Sequence, residues 1–149
     1  MRTSTSILMR APAERIYPLA AEVERWPELL PHYRWVTVLE QDASGRRKLV
    51  EMAARRGWIP VSWQAVQQLH PETPAIHFRH VGGITTGMDV TWRFEPVEGA
   101  TRVTIDHRLD LAWPFIGVVV AERVIGPHFV HHIAGLTLAR IKRLVESAA

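Results

Sequence analysis

The chain of 149 residues is 47% hydrophobic and 22% charged, carries 18 Lys and Arg against 15 Asp and Glu, and has no Cys. This length suits a single domain over residues 1–149 with its own core, and the composition is that of a globular protein. The absence of Cys excludes disulfides and thiolate chemistry. The basic residues stand in pairs, which favours solubilising positions over a nucleic-acid-binding face, so we expect no nucleic-acid partner.

No segment has the pattern of a signal peptide or of a membrane span. The apolar stretch before Arg10 is too short for a signal-peptide core. The most apolar later segment, 109–136, is interrupted by Pro114, Glu122 and Pro127 and cannot cross a bilayer as one helix. We therefore expect no stable membrane insertion. A cytoplasmic location is the default expectation, because a chain without Cys suits any compartment.

The first predicted elements are a strand and short helices. Thr3–Met9 is predicted to be a strand. Ala11–Glu14 opens a helix, because Pro at an early helical position and an acid in the first turn suit an N-terminus. Pro18 is expected to split this segment into two short helices. A further short helix from Trp26 is expected to stop at Pro31.

Apolar and polar residues alternate with a period of two from residue 33 to 111, which predicts six more strands. The clearest pair is a hairpin over 88–95 and 102–111 that turns at Glu98-Gly99 and has one apolar face. Gly82–Gly87 is expected to be a loop, either a mobile lid or a plain hairpin turn. The other predicted strands are Tyr33–Gln41, Arg47–Arg56, Ile59–Leu69 and Ala75–Val81.

The remainder is predicted to be helical. Pro114 can start a helix through the apolar run Phe115–Val124, and Gly126-Pro127 should kink or break it. We interpret this run as packing across a pocket mouth, with a dimer or membrane-touching surface as the alternative. A long C-terminal helix then has one apolar face that needs the sheet as its partner. That face consists of Val130, Ile133, Ala134, Thr137, Ile141, Leu144 and Val145.

A curved sheet that grips a single helix leaves unfilled volume, because the helix cannot fill the concave face to its ends. The side chains expected on the inward face are bulky and irregular, and Trp and Met suit a lined cavity. A solid core built from the same residues is the alternative. These residues are Met52, Trp63, Met88, Trp92 and Phe94.

Three segments resemble the polyketide cyclase/dehydrase group of the START-like, or Bet v 1-like (SRPBCC), superfamily. They are the opening APAERIYPLAAEVERWPELLPHY, the hairpin GMDVTWRFEPVEGATRVTIDHRLDL, and the closing helix IGPHFVHHIAGLTLARIKRLVE. The resemblance covers nearly the whole chain in order. It implies an α+β helix-grip fold: a curved seven-stranded antiparallel sheet around a long C-terminal helix, two short helices after the first strand, and an internal cavity for lipids, sterols, quinones or polyketides.

Within that group the bacterial aromatase/cyclases are the most similar enzymes, and their pattern is carried over residue by residue. Tyr33 matches a Tyr that shapes their cavity, and Trp63 matches a Trp on the fourth strand. Their Arg falls at Gln67, which can donate a hydrogen bond but supplies no fixed charge for an oxyanion. This departure weighs against cyclase chemistry of their kind.

His107 is the most interesting polar residue, because its parity places it inward beside Trp92. It could act as a general base or bind a ligand carbonyl. The alternative is a buried structural His, and no inward acid is present to orient it. His128 and His132 have the i, i+4 spacing of metal ligands, but a third ligand is missing, so we expect no metal.

We predict a protein that binds a hydrophobic small molecule, with no cofactor, as a monomer or homodimer. An aromatase/cyclase or dehydratase, with Tyr33 and His107 in proton transfer, is the first alternative. A quinone- or ribosome-linked accessory module is the second, since such relatives share an opening like WPELLP. The predicted ligand-binding residues are Tyr33, Met52, Trp63, Gln67, Met88, Val90, Trp92, Phe94, His107, Leu109, Phe129, His132 and Ile133.

Overall fold

The structure, a computed structural model, describes residues 2–83, 85–109 and 127–147. Within them, one seven-stranded sheet and three α-helices form the domain. None of the described helices is long and apolar enough to cross a membrane. In chain order the elements are β1 (Arg2–Met9), α1 (Ala13–Ala21), a 3-10 helix (Val23–Arg25), α2 (Trp26–Leu29), β2 (Tyr33–Gln41), β3 (Arg47–Arg56), β4 (Ile59–His70), β5 (Ala75–Gly83), β6 (Met88–Val97), β7 (Ala100–Leu109) and α3 (Pro127–Ser147).

The sheet is antiparallel throughout and has the strand order β1-β7-β6-β5-β4-β3-β2. Five of its six pairings join strands that follow each other in sequence, and the sixth joins β1 to β7. In the β6–β7 hairpin Trp92 lies opposite Ile105 and Phe94 opposite Val103, and all four side chains are buried. The alternation in the sequence therefore predicted the correct face.

The expected split of the first helix at Pro18 is wrong. α1 runs through Pro18, and the break comes at Glu22, whose N–H donates to the Pro18 carbonyl at 3.0 Å. Proline removes one backbone donor from a helix, but Ile16 and Ala20 are both fully buried here. The packing of this buried face holds the short helix together across the proline.

The C-terminal helix α3 buries the predicted face. Val130, Ile133, Ala134, Thr137, Ile141 and Val145 are all buried, together with Leu138, which the spacing argument omitted. Leu144 is only partly buried. The helix packs mainly along β1 and also reaches α1, β3 and β7. The predicted helix over 115–124 and the last two residues of the predicted strand, 110–111, lie outside the described residues.

The loop after β5 is shorter than expected, because β5 continues through Gly83. Gly83 has a φ of +90°, and a Cβ there would lie 2.9 Å from the Ser62 carbonyl oxygen of β4. Only glycine fits this close approach in that conformation. Thr86 and Gly87 then close the turn with hydrogen bonds to Gly83 and His80. The loop thus joins the antiparallel strands β5 and β6, and its action as a lid stays a prediction.

Candidate functional site

The domain has two unlike ends. At one end, which we call the capped end, α1 and α2 meet the C-terminal half of α3; Arg15 donates to the Val145 carbonyl at 2.7 Å. At the other, the cavity end, the β3–β4 turn and the β5–β6 loop meet the first turns of α3. His131 of α3 there contacts Thr5 of β1, Nδ1 to Oγ1, at 2.9 Å.

A cavity of about 80 Å³ lies between the sheet's concave face and α3. The described side chains around it are mostly apolar, with four polar residues among them. The apolar lining comprises Trp26, Tyr33, Met52, Val61, Trp63, Phe78, Met88, Val90, Trp92, Ile105, Val130, Ile133 and Ala134, and the polar lining comprises His80, Thr85, His107 and Thr137.

The cavity brings together most of the side chains predicted to bind a ligand. Most of these side chains lie on the inward face of strands β3, β4, β6 and β7, and one lies on the apolar stripe of α3. The predicted residues that line it are Tyr33, Met52, Trp63, Met88, Val90, Trp92, His107 and Ile133.

Four other predicted residues lie elsewhere. Gln67 is fully buried near the capped end, where its Nε2 donates to the Ala21 carbonyl at 2.9 Å and so fixes the end of α1. Phe94 packs deeper, with its ring 5.3 Å from that of Tyr17. Leu109 is buried outside the lining, and His132 is exposed on α3. The side chain of Phe129 lies outside the described residues.

The sequence argument missed several lining residues. Phe78 and His80 could have been found, because they alternate with Ile76 along β5 and point to the same buried face. Trp26 and Thr85 belong to a short helix and a loop, where no periodicity shows which way a side chain points. Thr137 was placed on the correct face of α3 but not considered as a cavity residue.

Tyr33 belongs to a hydrogen-bonded group at one wall. The Thr137 hydroxyl donates to the Ile133 carbonyl at 2.8 Å. A hydroxyl has one hydrogen, so Thr137 accepts from its other two partners, Tyr33 Oη and, at 2.9 Å, His32 Nε2. Burial raises the pKa of Tyr33 and lowers that of His32 to about 4, so both are neutral at pH 7.

His80 and Thr85 form a second polar group. Thr85 Oγ1 lies 2.6 Å from His80 Nδ1, and the imidazole stacks on the Trp63 indole with ring centroids 5.6 Å apart. Burial lowers the pKa of His80 to about 3, with a smaller effect from His107. Because the imidazole is neutral and already bonded to Thr85, we interpret this pair as holding the β5–β6 loop against the cavity.

His107 differs from the other polar residues of the lining. Its Nδ1 is shielded from solvent and has no hydrogen-bond partner among the residues that the structure describes, although the residue as a whole keeps some exposure. Burial lowers the pKa of His107 to about 4 against the opposing effect of Asp106, which is turned to the outer face and bonded to Arg93 at 2.8 Å. An unpaired buried polar atom costs about 1–3 kcal/mol, and a hydrogen-bond partner that reached this nitrogen would remove that cost.

The described residues hold no cluster of three or more His, Cys, Asp or Glu that could bind a metal ion. Nor is any carboxylate found among the described side chains that line the cavity. Among the described lining residues, His107 therefore has no acid to orient it as in a catalytic triad.

A model of the family described as polyketide cyclase / dehydrase and lipid transport matches residues 9–125. The chain belongs to this family. Its architecture is the helix-grip fold, which it shares with the solved structure of a START superfamily protein from Mycobacterium smegmatis at 18% identity and a TM-score of 0.72. The fold and the family expected from the sequence are both confirmed.

The similar proteins differ in what they are named for. The granaticin polyketide synthase bifunctional cyclase/dehydratase of Streptomyces violaceoruber is 29% identical over 114 residues, covering 74% of this chain and 35% of that protein. Ribosome association toxin RatA of Pseudomonas aeruginosa is 28% identical over 125 residues, covering 83% and 81%. The Zhui aromatase/cyclase structure from Streptomyces sp. R1128 matches with a TM-score of 0.77 and 18% identity, covering 100% and 98%. The chain spans about a third of the length of the granaticin and actinorhodin cyclase/dehydratases.

Proposed function

We propose that the protein binds a hydrophobic, ring-containing small molecule in the cavity between the sheet and α3. The observation that carries this proposal is the cavity itself, which is lined by five aromatic and two Met side chains and walled by buried residues. Burial of apolar ligand surface contributes about 25 cal/mol per Å² before the costs of binding.

The size of the cavity limits the ligand. Its volume of about 80 Å³ is below the ~300–1,000 Å³ of pockets for drug-sized molecules. Met52 and Met88 are the flexible members of the lining, and a change in their rotamers would enlarge the space. We therefore expect a flat ligand of one or two rings to enter first, with the two Met side chains moving to admit it.

His107 forms a hydrogen bond with the polar group of the ligand. A ligand hydroxyl can satisfy Nδ1 whether this nitrogen accepts or donates a hydrogen, whereas a carbonyl satisfies it only when it donates. We expect a hydroxylated aromatic ring to bind more tightly than its methyl ether, which has no hydrogen to donate.

Isothermal titration calorimetry with 2-naphthol and 2-methoxynaphthalene tests both the binding of an aromatic ligand in the cavity and the preference for a hydroxyl group. We expect 2-naphthol to bind about fivefold more tightly, which corresponds to one added hydrogen bond of ~1 kcal/mol. Ala134→Leu extends a lining side chain into the cavity and should abolish binding of both probes. Ala139→Leu, on the exposed side of the same helix, is the matched control and should bind as the parent chain does. Equal binding by the two variants would refute a ligand site in this cavity.

A second candidate is an aromatase/cyclase or dehydratase, favoured by the family and by the free nitrogen of His107. His107 would accept a proton from the substrate, although its pKa of about 4 makes it a weak base. Tyr33 stays protonated because burial raises its pKa, so it can only orient the substrate by hydrogen bonding.

Turnover of a short poly-β-ketone thioester, followed by mass spectrometry, tests the enzymatic candidate. His107→Phe should abolish formation of the cyclised or dehydrated product and leave binding of 2-methoxynaphthalene unchanged. A variant with full turnover would remove His107 from the mechanism. If the parent chain binds both naphthalene probes but turns over no thioester, the enzymatic candidate is wrong and binding is the function that stands.

A further inference from the structure

The turn between β3 and β4 presents an exposed tryptophan. Trp58 is 88% exposed, and Ile59 beside it is 40% exposed. The turn has only two residues, Gly57 and Trp58, and the φ of Gly57 is +60°. Short turns of this kind are stiff, so little conformational entropy is lost when the side chain at the turn binds a surface. We call Arg55–Pro60 the hairpin tip.

The surroundings of the hairpin tip are cationic. Arg55 is exposed and lies opposite Pro60 on β4, and its backbone N–H donates to the His32 carbonyl at 2.9 Å. This bond sets the start of β2, with the exposed Arg34, beside the end of β3. The sequence has no Asp or Glu from Met52 to Pro71. The acid just before this range, Glu51, is bonded to Gln64 at 2.9 Å. An exposed indole flanked by Arg, in a segment without Asp or Glu from residue 52 to 71, fits an anionic surface.

The hairpin tip also lies at the cavity end. Met52 and Trp63 are opposite each other on β3 and β4, and Val61 of β4 is two residues from Ile59; all three line the cavity. The strands that carry the exposed apolar residues outside thus form a wall of the cavity inside. A surface held by the hairpin tip would face the end at which the cavity lies.

From this juxtaposition we propose that the hairpin tip binds the surface of an anionic lipid bilayer, with Trp58 and Ile59 at headgroup depth and Arg34 and Arg55 on the lipid phosphates. Trp favours this interfacial position because its ring is apolar and its N–H is polar. The contact is peripheral and requires no spanning segment.

Lipid is favoured over nucleic acid by the apolar residues that follow the indole. Ile59 and Pro60 are exposed and have no flat ring on which a base could stack, whereas both gain from leaving water in a bilayer interface. The contact does not depend on which molecule occupies the cavity, so it can be tested without a ligand.

Co-sedimentation with vesicles of equal parts phosphatidylglycerol and phosphatidylcholine tests the proposal, with pure phosphatidylcholine vesicles as the neutral comparison. The parent chain should bind the anionic vesicles and release them as salt is raised. Trp58→Ala should weaken binding by about tenfold, since the main apolar contact is lost. Arg55→Gln should weaken it by about fivefold, the value expected for one interfacial cation.

Two control variants separate the hairpin tip from general surface effects. Leu136→Ala removes from α3 an apolar side chain that is exposed to the same extent as Ile59, and Arg143→Gln removes an exposed cation near the capped end. Both should bind vesicles as the parent chain does. Absence of parent binding, equal loss in the controls, or tighter and Trp58-dependent binding to a structured RNA at the same salt concentration would each overturn the proposal.

Discussion

The capped end and the cavity end contain the same kinds of residue, but the interior is filled at the capped end and holds a cavity at the other. At the capped end the free polar groups of the helices are bonded by side chains: Trp26 Nε1 donates to the Leu19 carbonyl at 2.9 Å, and Arg140 Nε donates to the Leu29 carbonyl at 3.1 Å. Three buried side-chain atoms have no hydrogen-bond partner among the described residues: Gln67 Oε1 near the capped end, and Thr3 Oγ1 and His107 Nδ1 at the cavity end. Of these three residues, His107 is the one that lines the cavity.

The largest effect should come from removing the indole that closes the capped end. Trp26 is 3% exposed, and its ring lies 4.8 Å from Tyr33 and 6.0 Å from Trp92. Trp26→Ala should lower the free energy of unfolding by about 3–5 kcal/mol, because it leaves a large void and an unbonded carbonyl. Urea unfolding measures this, and Trp58→Ala is the matched control, with a change below about 0.5 kcal/mol. Equal losses would show that the capped end is not what stabilises the domain.

The next effect is a loss of stability in mild acid. Burial lowers the pKa of His80 to about 3 and that of His107 to about 4, whereas the unfolded chain has imidazoles near 6.5. Below pH 6.5 the unfolded chain therefore binds protons that the folded chain does not, and stability falls as pH falls toward about 4. For these two groups the slope is about 3 kcal/mol per pH unit. His32, whose pKa burial also lowers to about 4, adds a similar share, so His107→Gln should remove about a third of the slope that the three groups give in unfolding measured from pH 7 to 5. An unchanged slope would contradict the buried state of His107.

The smallest effect is expected when a Thr is replaced by Val at each of the two ends. Thr101 Oγ1 donates to the Ala11 carbonyl at 2.8 Å near the capped end, whereas Thr3 Oγ1 has no partner. Thr101→Val should cost about 1–2 kcal/mol, because the buried carbonyl loses its donor. Thr3→Val should be neutral or stabilising, since it removes an unsatisfied group. Thermal unfolding of the two variants measures the difference, and the reverse order would contradict the contrast between the ends.

The sheet and α3 could be predicted because their signals are periodic. The alternation around Trp92 and Ile105 matches the period of a strand, and the apolar stripe from Val130 to Val145 matches the period of a helix. The resemblance to the family then predicted how the sheet and the helix pack together. Pro18 misled the prediction because proline's local cost is visible in the sequence, while the burial of Ile16 and Ala20 that offsets it is not.

The sequence predicted the site only where the alternation of side chains along a strand, their parity, determines which face they take. Parity states which face of a strand a side chain takes, and it placed Met52, Trp63 and His107 correctly. It does not state how far along the strand the cavity extends, so Gln67 and Phe94 were included although the interior is solid at their level. Thr85 comes from a loop whose path depends on the contact of Gly83 with β4, which no local pattern shows.

The pairing of β1 with β7 has a consequence for the order in which the domain forms during synthesis. Met9 lies opposite Thr101 and Arg2 opposite Arg108, so β1 has no neighbour in the sheet until about 90 further residues have left the ribosome. The hairpins from β2 to β7 can form one after another in the meantime, since each closes over a short loop. The N-terminal strand therefore completes the sheet late, and until then the nascent chain exposes the edge of β7, where another chain could add.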